Sequence, residues 1–125
     1  MSIQKYTDLI AWQKAHWLVL QVYKISKHFP KEETFGLTQQ IRRAGVSVTS
    51  NIAESFGRKG KKEKQFFLSV ARGSLCEVES QLLIARDLRY ATDDVLLEIK
   101  IVIPEVSKLI SGLMRSAPDA PRHIT

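Results

Sequence analysis

The sequence predicts an all-α domain, an antiparallel up-down-up-down four-helix bundle. Three observations lead there: apolar residues recur at three- and four-residue spacing through four long segments, the 6 Gly and 4 Pro fall mostly between those segments, and no alternating strand-like run competes. At 125 residues the chain is one domain, long enough to bury a core of its own. The helices are expected over about 8–29, 35–57, 61–90 and 93–116, followed by a flexible tail over 117–125.

In the first helix Leu9, Trp12, His16, Val19 and Tyr23 form one face, while Ile10, Trp17, Leu18, Leu20 and Ile25 lie off that stripe. Apolar surface wider than one core contact requires points to a second buried face, and hence to an oligomer. The second helix carries Leu37, Ile41, Ala44, Val48, Ile52 and Phe56 among small residues Gly45, Ser47, Ser50 and Ala53, which admit a close neighbour. Gly57 and Gly60 bracket a short turn. The third helix is expected to turn Phe67, Ala71, Ser74, Val78, Ala85 and Leu88 inward, with Leu68, Leu75 and Leu82 as a flank. Ahead of the fourth, Thr92 suits a helix cap, and Asp93 and Asp94 complement the partial positive charge of a helix N-terminus. In that helix Val95, Ile99, Val102, Val106, Leu109 and Leu113 read as the bundle seam, and Leu96, Ile103 and Ile110 as a second apolar row. Pro104 removes a backbone hydrogen bond and is expected to bend it.

Charge is unevenly placed. The chain carries +6 overall, but residues 1–64 hold 12 basic and 5 acidic side chains and residues 65–125 hold 7 and 8. An antiparallel bundle gathers the start of helix 1, the turn between helices 2 and 3 and the end of helix 4 at one end. That end receives Lys5, Arg58, Lys59, Lys61, Lys62, Lys64, Arg115 and Arg122 against Asp8, Glu63 and Asp119. The other end is balanced, with Lys24, Lys27, Lys31, Arg86 and Arg89 facing Glu32, Glu33, Asp87, Asp93 and Asp94. Arg58 and Lys59 suit a helix C-terminus and are accounted for by a solvated turn. Lys61, Lys62 and Lys64 fall in the first turn of helix 3, where cations are mildly unfavourable; a helix N-terminus flanked by lysines suits a phosphate. Phe56, Phe66 and Phe67 flank this run, but aromatics at helical spacing belong to a core more often than to a base-stacking platform.

Other chemistry finds no equipment. One cysteine, Cys76, excludes a disulfide framework within the chain and fits a reducing cytoplasm. No signal-type h-region or bilayer-length apolar stretch occurs, so neither export nor membrane insertion is expected. No Glu-x-x-His pair is present for a di-metal site, and His16, His28 and His123 lie far apart. Arg115 and His123 are spaced too widely for a bundle ribonuclease motif, and neither a phosphate loop nor a nucleophile elbow is found. No metal, cofactor or catalytic residue is expected; His16 reads as a hydrogen-bonded core histidine and Cys76 as a small core residue. The polar residues Arg43, Ser47, Asn51 and Glu54 on helix 2, with Arg72, Ser74 and Glu79 on helix 3, read as a structural network fixing helix register or subunit contacts.

The run Phe35 to Ala44, the run Ser47-Val48-Thr49-Ser50-Asn51-Ile52-Ala53-Glu54-Ser55-Phe56-Gly57-Arg58, and Ala71-Arg72-Gly73-Ser74-Leu75 with Glu77 and Glu79 strongly resemble the bacterial four-helix-bundle proteins encoded in intervening sequences of 23S ribosomal RNA genes. Asp8-Leu9 and Trp12-Gln13-Lys14-Ala15 match the family's opening, and the resemblance extends to about Leu113. One departure is Ser55, where the family usually has glycine. The resemblance implies a homopentamer, related to the accessory variability determinant of diversity-generating retroelements, a basic pentamer that binds nucleic acid and a reverse transcriptase.

The expectation is therefore a non-enzymatic, pentameric protein that binds RNA or DNA. It would hold backbone phosphates through Arg58, Lys59, Lys61, Lys62 and Lys64, with Lys5 and Arg115 in support. The alternative is an oligomeric scaffold that docks a partner protein and has no direct nucleic-acid role.

Overall fold

Leu18, Val22, Ile41, Val48, Ile52, Leu75, Val78, Leu96, Ile99, Val106 and Ile110 are the large, fully buried side chains around which this chain closes. The computed structural model describes residues 2–117. Four helices supply the core: α1 (Ile10–Ser26), α2 (Leu37–Phe56), α3 (Lys61–Asp87) and α4 (Asp93–Ser116), with single 3-10 turns at Tyr6–Asp8 and Lys31–Glu33. No strand occurs among the described residues. Arg122, His123 and the expected tail from Pro118 onward lie outside them.

Cross-helix contacts give the direction of each neighbour. Arg42 on α2 reaches Ser26 near the end of α1, while Gly45 faces Val19 further back. Lys64 meets Ser55 and Ser74 meets Ser47, so α3 runs back along α2. Gln65 bonds to Met114 and Arg72 to Ser111, which sets α4 antiparallel to α3. Lys14 pairs with Glu105 and closes α4 onto α1. The result is the expected four-helix bundle with antiparallel neighbours.

On α2 the expected row Leu37, Ile41, Ala44, Val48 and Ile52 is buried, whereas the inward faces of the other three helices differ from the expected ones. On α1 the core row is Ala11, Ala15, Leu18, Val22 and Ile25, and of the expected stripe only Val19 is buried. Trp12, Val19 and Tyr23 instead make the flank toward α2, where Arg42 stacks its guanidinium 4.7 Å from the Tyr23 ring. On α3 the leucines expected as a flank, Leu68, Leu75 and Leu82, are buried with Ala71, Ser74, Val78 and Ala85, whereas Leu88 is 52% exposed. On α4 the expected second row Leu96, Ile103 and Ile110 is core with Ile99 and Val106, whereas Val95 is 54% exposed and Val102, Leu109 and Leu113 are half-buried. A helix carrying two apolar rows leaves spacing unable to choose between them; packing against the other three helices makes the choice.

Helix ends follow local chemistry. Thr92 Oγ1 accepts the Val95 N–H at 3.3 Å, the expected cap of α4. The end of α3 comes earlier than expected, because Arg89 takes a left-handed conformation (φ 64°). There the Arg89 N–H bonds to the Arg86 carbonyl and the Tyr90 N–H to the Ala85 carbonyl, the paired bonds of a Schellman stop. Arginine holds this conformation at a cost of about 1–2 kcal/mol relative to its right-handed form. Tyr90 helps to offset it, packing on Phe29 at 5.7 Å and donating its hydroxyl to Glu33 at 3.0 Å. That hydrogen bond to a carboxylate raises the Tyr90 pKa. Glu33 spends its other oxygen on the Leu37 N–H at 3.1 Å, anchoring the start of α2. A Cβ at Gly36 would lie 2.8 Å from that same oxygen, so a larger residue there has to push the Glu33 carboxylate off the Leu37 N–H.

Gly73 has no such constraint, since an added Cβ meets nothing within 4 Å. Gly73→Ala is expected to stabilise the fold by about 0.5–1 kcal/mol, measured by urea unfolding. A loss of stability would show that the outer face of α3 at this point is covered in solution.

Candidate nucleic-acid interface

The end of the bundle expected to be basic is assembled by four segments. A small cavity of about 120 Å³ there is lined by Leu9 ahead of α1, Ser55 and Phe56 of α2, Lys64 and Leu68 of α3, and Leu113 of α4. Gly57 and Arg58 fold back on α2 through N–H bonds to the Glu54 and Ser55 carbonyls. Gly60 is extended (φ −87°, ψ 147°) and starts α3 with no side-chain cap. The first amides of a helix have no carbonyl partner inside it, so this terminus presents partial positive charge.

The cations fall into two groups. Arg58 and Lys64 are engaged by the protein. Arg58 lies 3.6 Å from Glu54 and 4.7 Å from the centre of the Phe67 ring. Lys64 donates its ammonium to the Ser55 and Phe56 carbonyls at 3.1 and 3.4 Å, on the C-terminal turn of α2. Lysine is unfavourable at the start of its own helix, but here it neutralises the negative end of the preceding one. Ser55 is buried and donates its hydroxyl to the Ile52 carbonyl, while its own carbonyl accepts from both the Arg58 N–H and the Lys64 ammonium. Lys59 and Lys62 are exposed and Lys61 half-exposed, and among the described residues none of the three has an ion-pair partner.

Lys5 and Arg115 are also exposed. Asp8, the nearest acid to Lys5 in sequence, accepts the Gln4 and Lys5 backbone N–H groups at 3.0 Å each, and these bonds lower its pKa. Its carboxylate thus organises the turn leading into α1. At the opposite end Arg86 pairs with Asp87 and Lys100 with Asp93.

The expected polar network divides. Ser47 and Ser74 hydroxyls meet at 2.7 Å across the α2–α3 contact, and Asn51 donates to the Ser47 carbonyl and hydroxyl at 2.8 and 3.0 Å. Glu54 turns to Arg58. Arg72 and Glu79 face α4 rather than α2: Arg72 donates to Ser111 at 3.4 Å, and Glu79 lines a groove with Lys100 and Ile103. Arg43 is exposed beside the serine pair. A hundred-degree step per residue puts Arg72 and Glu79 on the other flank of α3 from Ser74.

His16 is not in the core; it is exposed and stacked on Trp12 at 4.7 Å. Cys76 is likewise exposed, not a core residue. Among the described residues no group of His, Cys, Asp or Glu is arranged to hold a metal, and no helix is long and apolar enough to cross a membrane. The inter-helix bonds of Gln65 and Lys14 were invisible to sequence reasoning, because a long polar side chain at a flank position looks the same whether it meets water or a neighbour.

The family model for the 23S rRNA-intervening sequence protein matches residues 7–112. Among solved structures the chain is similar to a protein of unknown function from the S23 ribosomal protein family of Bacteroides thetaiotaomicron. The two are 22% identical with a TM-score of 0.78, and the match covers 88% of this chain and 99% of that one. No curated protein matches the sequence.

Proposed function

This chain belongs to the 23S rRNA-intervening sequence protein family, and from that premise we propose that it is a non-enzymatic nucleic-acid-binding protein holding backbone phosphates at the α2–α3 turn of a homopentamer. One observation carries the reading: Lys59, Lys61 and Lys62 gather beside the uncapped start of α3 without ion-pair partners among the described residues. Lysines at such a terminus add a mobile positive charge to fixed amide dipoles, a combination matched to phosphate oxygens. Lys5 and Arg115 extend the same end, while Arg58 and Lys64 brace the turn.

Surplus apolar surface supports assembly. Ile10 and Leu20 on α1 and Leu97 and Ile101 on α4 are exposed although large and aliphatic. Burying them between copies in a closed ring repeats the cationic turn around one rim, which multiplies phosphate contacts without a new motif.

The test is fluorescence anisotropy of labelled structured RNA and duplex DNA over a salt series, on protein whose mass is measured by light scattering. Three lysines per copy predict a slope of log affinity on log salt of about −3 or steeper. Absence of binding at low salt overturns the reading. A second reading, a scaffold for a partner protein, is favoured by Phe35, which is 88% exposed beside a groove of about 620 Å³ on α2. That reading expects partner capture to be lost in Phe35→Ser with RNA affinity unchanged.

A further inference from the structure

We propose that the polar groove between α2 and α3 recognises an unpaired guanine, an inference that rests on the nucleic-acid reading and gives it a base preference. The groove has a volume of about 320 Å³ and is lined by Gln40, Arg43, Ser47, Ser74, Glu77 and Gln81. The Ser47–Ser74 hydroxyl pair lines it and ties the two helices together. Arg43 and Glu77 line the same groove, yet neither has an ion-pair partner among the described residues. Gln81 adds a carbonyl oxygen shut away from solvent with no hydrogen-bond donor. A buried acceptor left unmade is destabilising, and turning that amide onto a donor in the groove relieves it.

The arrangement offers a carboxylate and an amide carbonyl on α3, opposite a guanidinium on α2. A carboxylate accepts best from two adjacent N–H donors, and a guanidinium donates best to two adjacent acceptors. Guanine carries both sets, N1–H and the 2-amino group on one edge and O6 with N7 on the next. The other three bases offer only one exocyclic or ring donor position to a carboxylate. The N1–H edge is free for such a contact only in an unpaired nucleotide, because base pairing occupies it in a duplex.

Position favours a nucleotide over another zwitterionic ligand. Arg58 at the end of α2 and Ser47 in the groove are separated by roughly 16 Å along the helix at 1.5 Å per residue. An extended strand held by Lys59, Lys61 and Lys62 and running along the α2–α3 groove therefore brings a base to Arg43 and Glu77 within a few nucleotides.

The experiment uses the full chain and four labelled single-stranded RNA heptamers, oligo-A with G, A, C or U at the centre, compared by anisotropy at a low and a high salt concentration. The G heptamer is expected to bind at least about fivefold more tightly than the others. Glu77→Gln keeps the side-chain shape at an exposed position, and it is expected to abolish that preference, so that the variant binds the G and A heptamers equally. Guanosine, which has no phosphate, is expected to compete with the G heptamer where adenosine does not. Equal affinities that fall with salt overturn the guanine site and leave the phosphate reading standing. A preference retained in Glu77→Gln also overturns it, whereas no binding of heptamers or of structured RNA at low salt overturns both.

Discussion

Reversing Lys61 and Lys62 to glutamate is expected to weaken RNA binding by about a hundredfold near 0.1 M salt, with helical content and oligomer mass unchanged. Each phosphate contact contributes about 0.9 to the slope of log affinity on log salt, so removing two lowers the slope by about 2 and, at a tenth molar salt, costs about two decades. Lys62 is exposed and Lys61 half-exposed, and neither makes an ion pair among the described residues, so little of the fold depends on them. Lys64 separates the binding role from the structural one. Its ammonium holds the Ser55 and Phe56 carbonyls, so Lys64→Gln is expected to cost about 1 kcal/mol of stability and to change RNA affinity less than either neighbour. Unchanged affinity in the double reversal would remove this turn from the phosphate site.

Leu75→Ala and Leu96→Ala are each expected to destabilise the protein by about 2–5 kcal/mol, whereas Leu88→Ala and Val95→Ala are expected to cost less than about 0.5 kcal/mol. The first pair is 2% and 1% exposed and lies in the rows that face the bundle axis. Deleting three carbons there removes transfer free energy and leaves a cavity that close-packed neighbours fill only partly. The second pair comes from the inward row expected on α3 and the seam expected on α4. Urea unfolding at two protein concentrations checks both. A large, concentration-independent loss at Leu88 or Val95 would contradict the helix faces described here, and a concentration-dependent one would place those residues in a contact between copies.

Much of the candidate site was legible for a simple reason. Lysines in the first turn of a helix conflict with the helix dipole, and that conflict stands in the sequence around Lys61, Lys62 and Lys64. What resolves it for Lys64 does not, because its partners are the terminal carbonyls of a different helix. The polar network shows the same boundary: Ser47, Asn51 and Ser74 meet, while Arg72 and Glu79 turn to α4. Gln81 carried no signal, since a glutamine on a helix flank is ordinary until packing shuts its carbonyl from water.

By itself the sequence determined the number of helices, their order and the positions of most breaks, since apolar spacing, glycine, proline and the Thr92 cap act over a few residues. It also shows the lysine cluster of residues 59–64 at the turn between α2 and α3. Tertiary structure alone decided which apolar row of α1, α3 and α4 enters the core. Leu18, Leu75 and Leu96 are inside, and Leu88 and Val95 are not, because two rows of equal hydrophobicity differ only in the neighbours they meet. It likewise decided the end of α3: no glycine marks that stop, and Arg89 is held left-handed by a Tyr90 whose partners, Phe29 and Glu33, lie between α1 and α2.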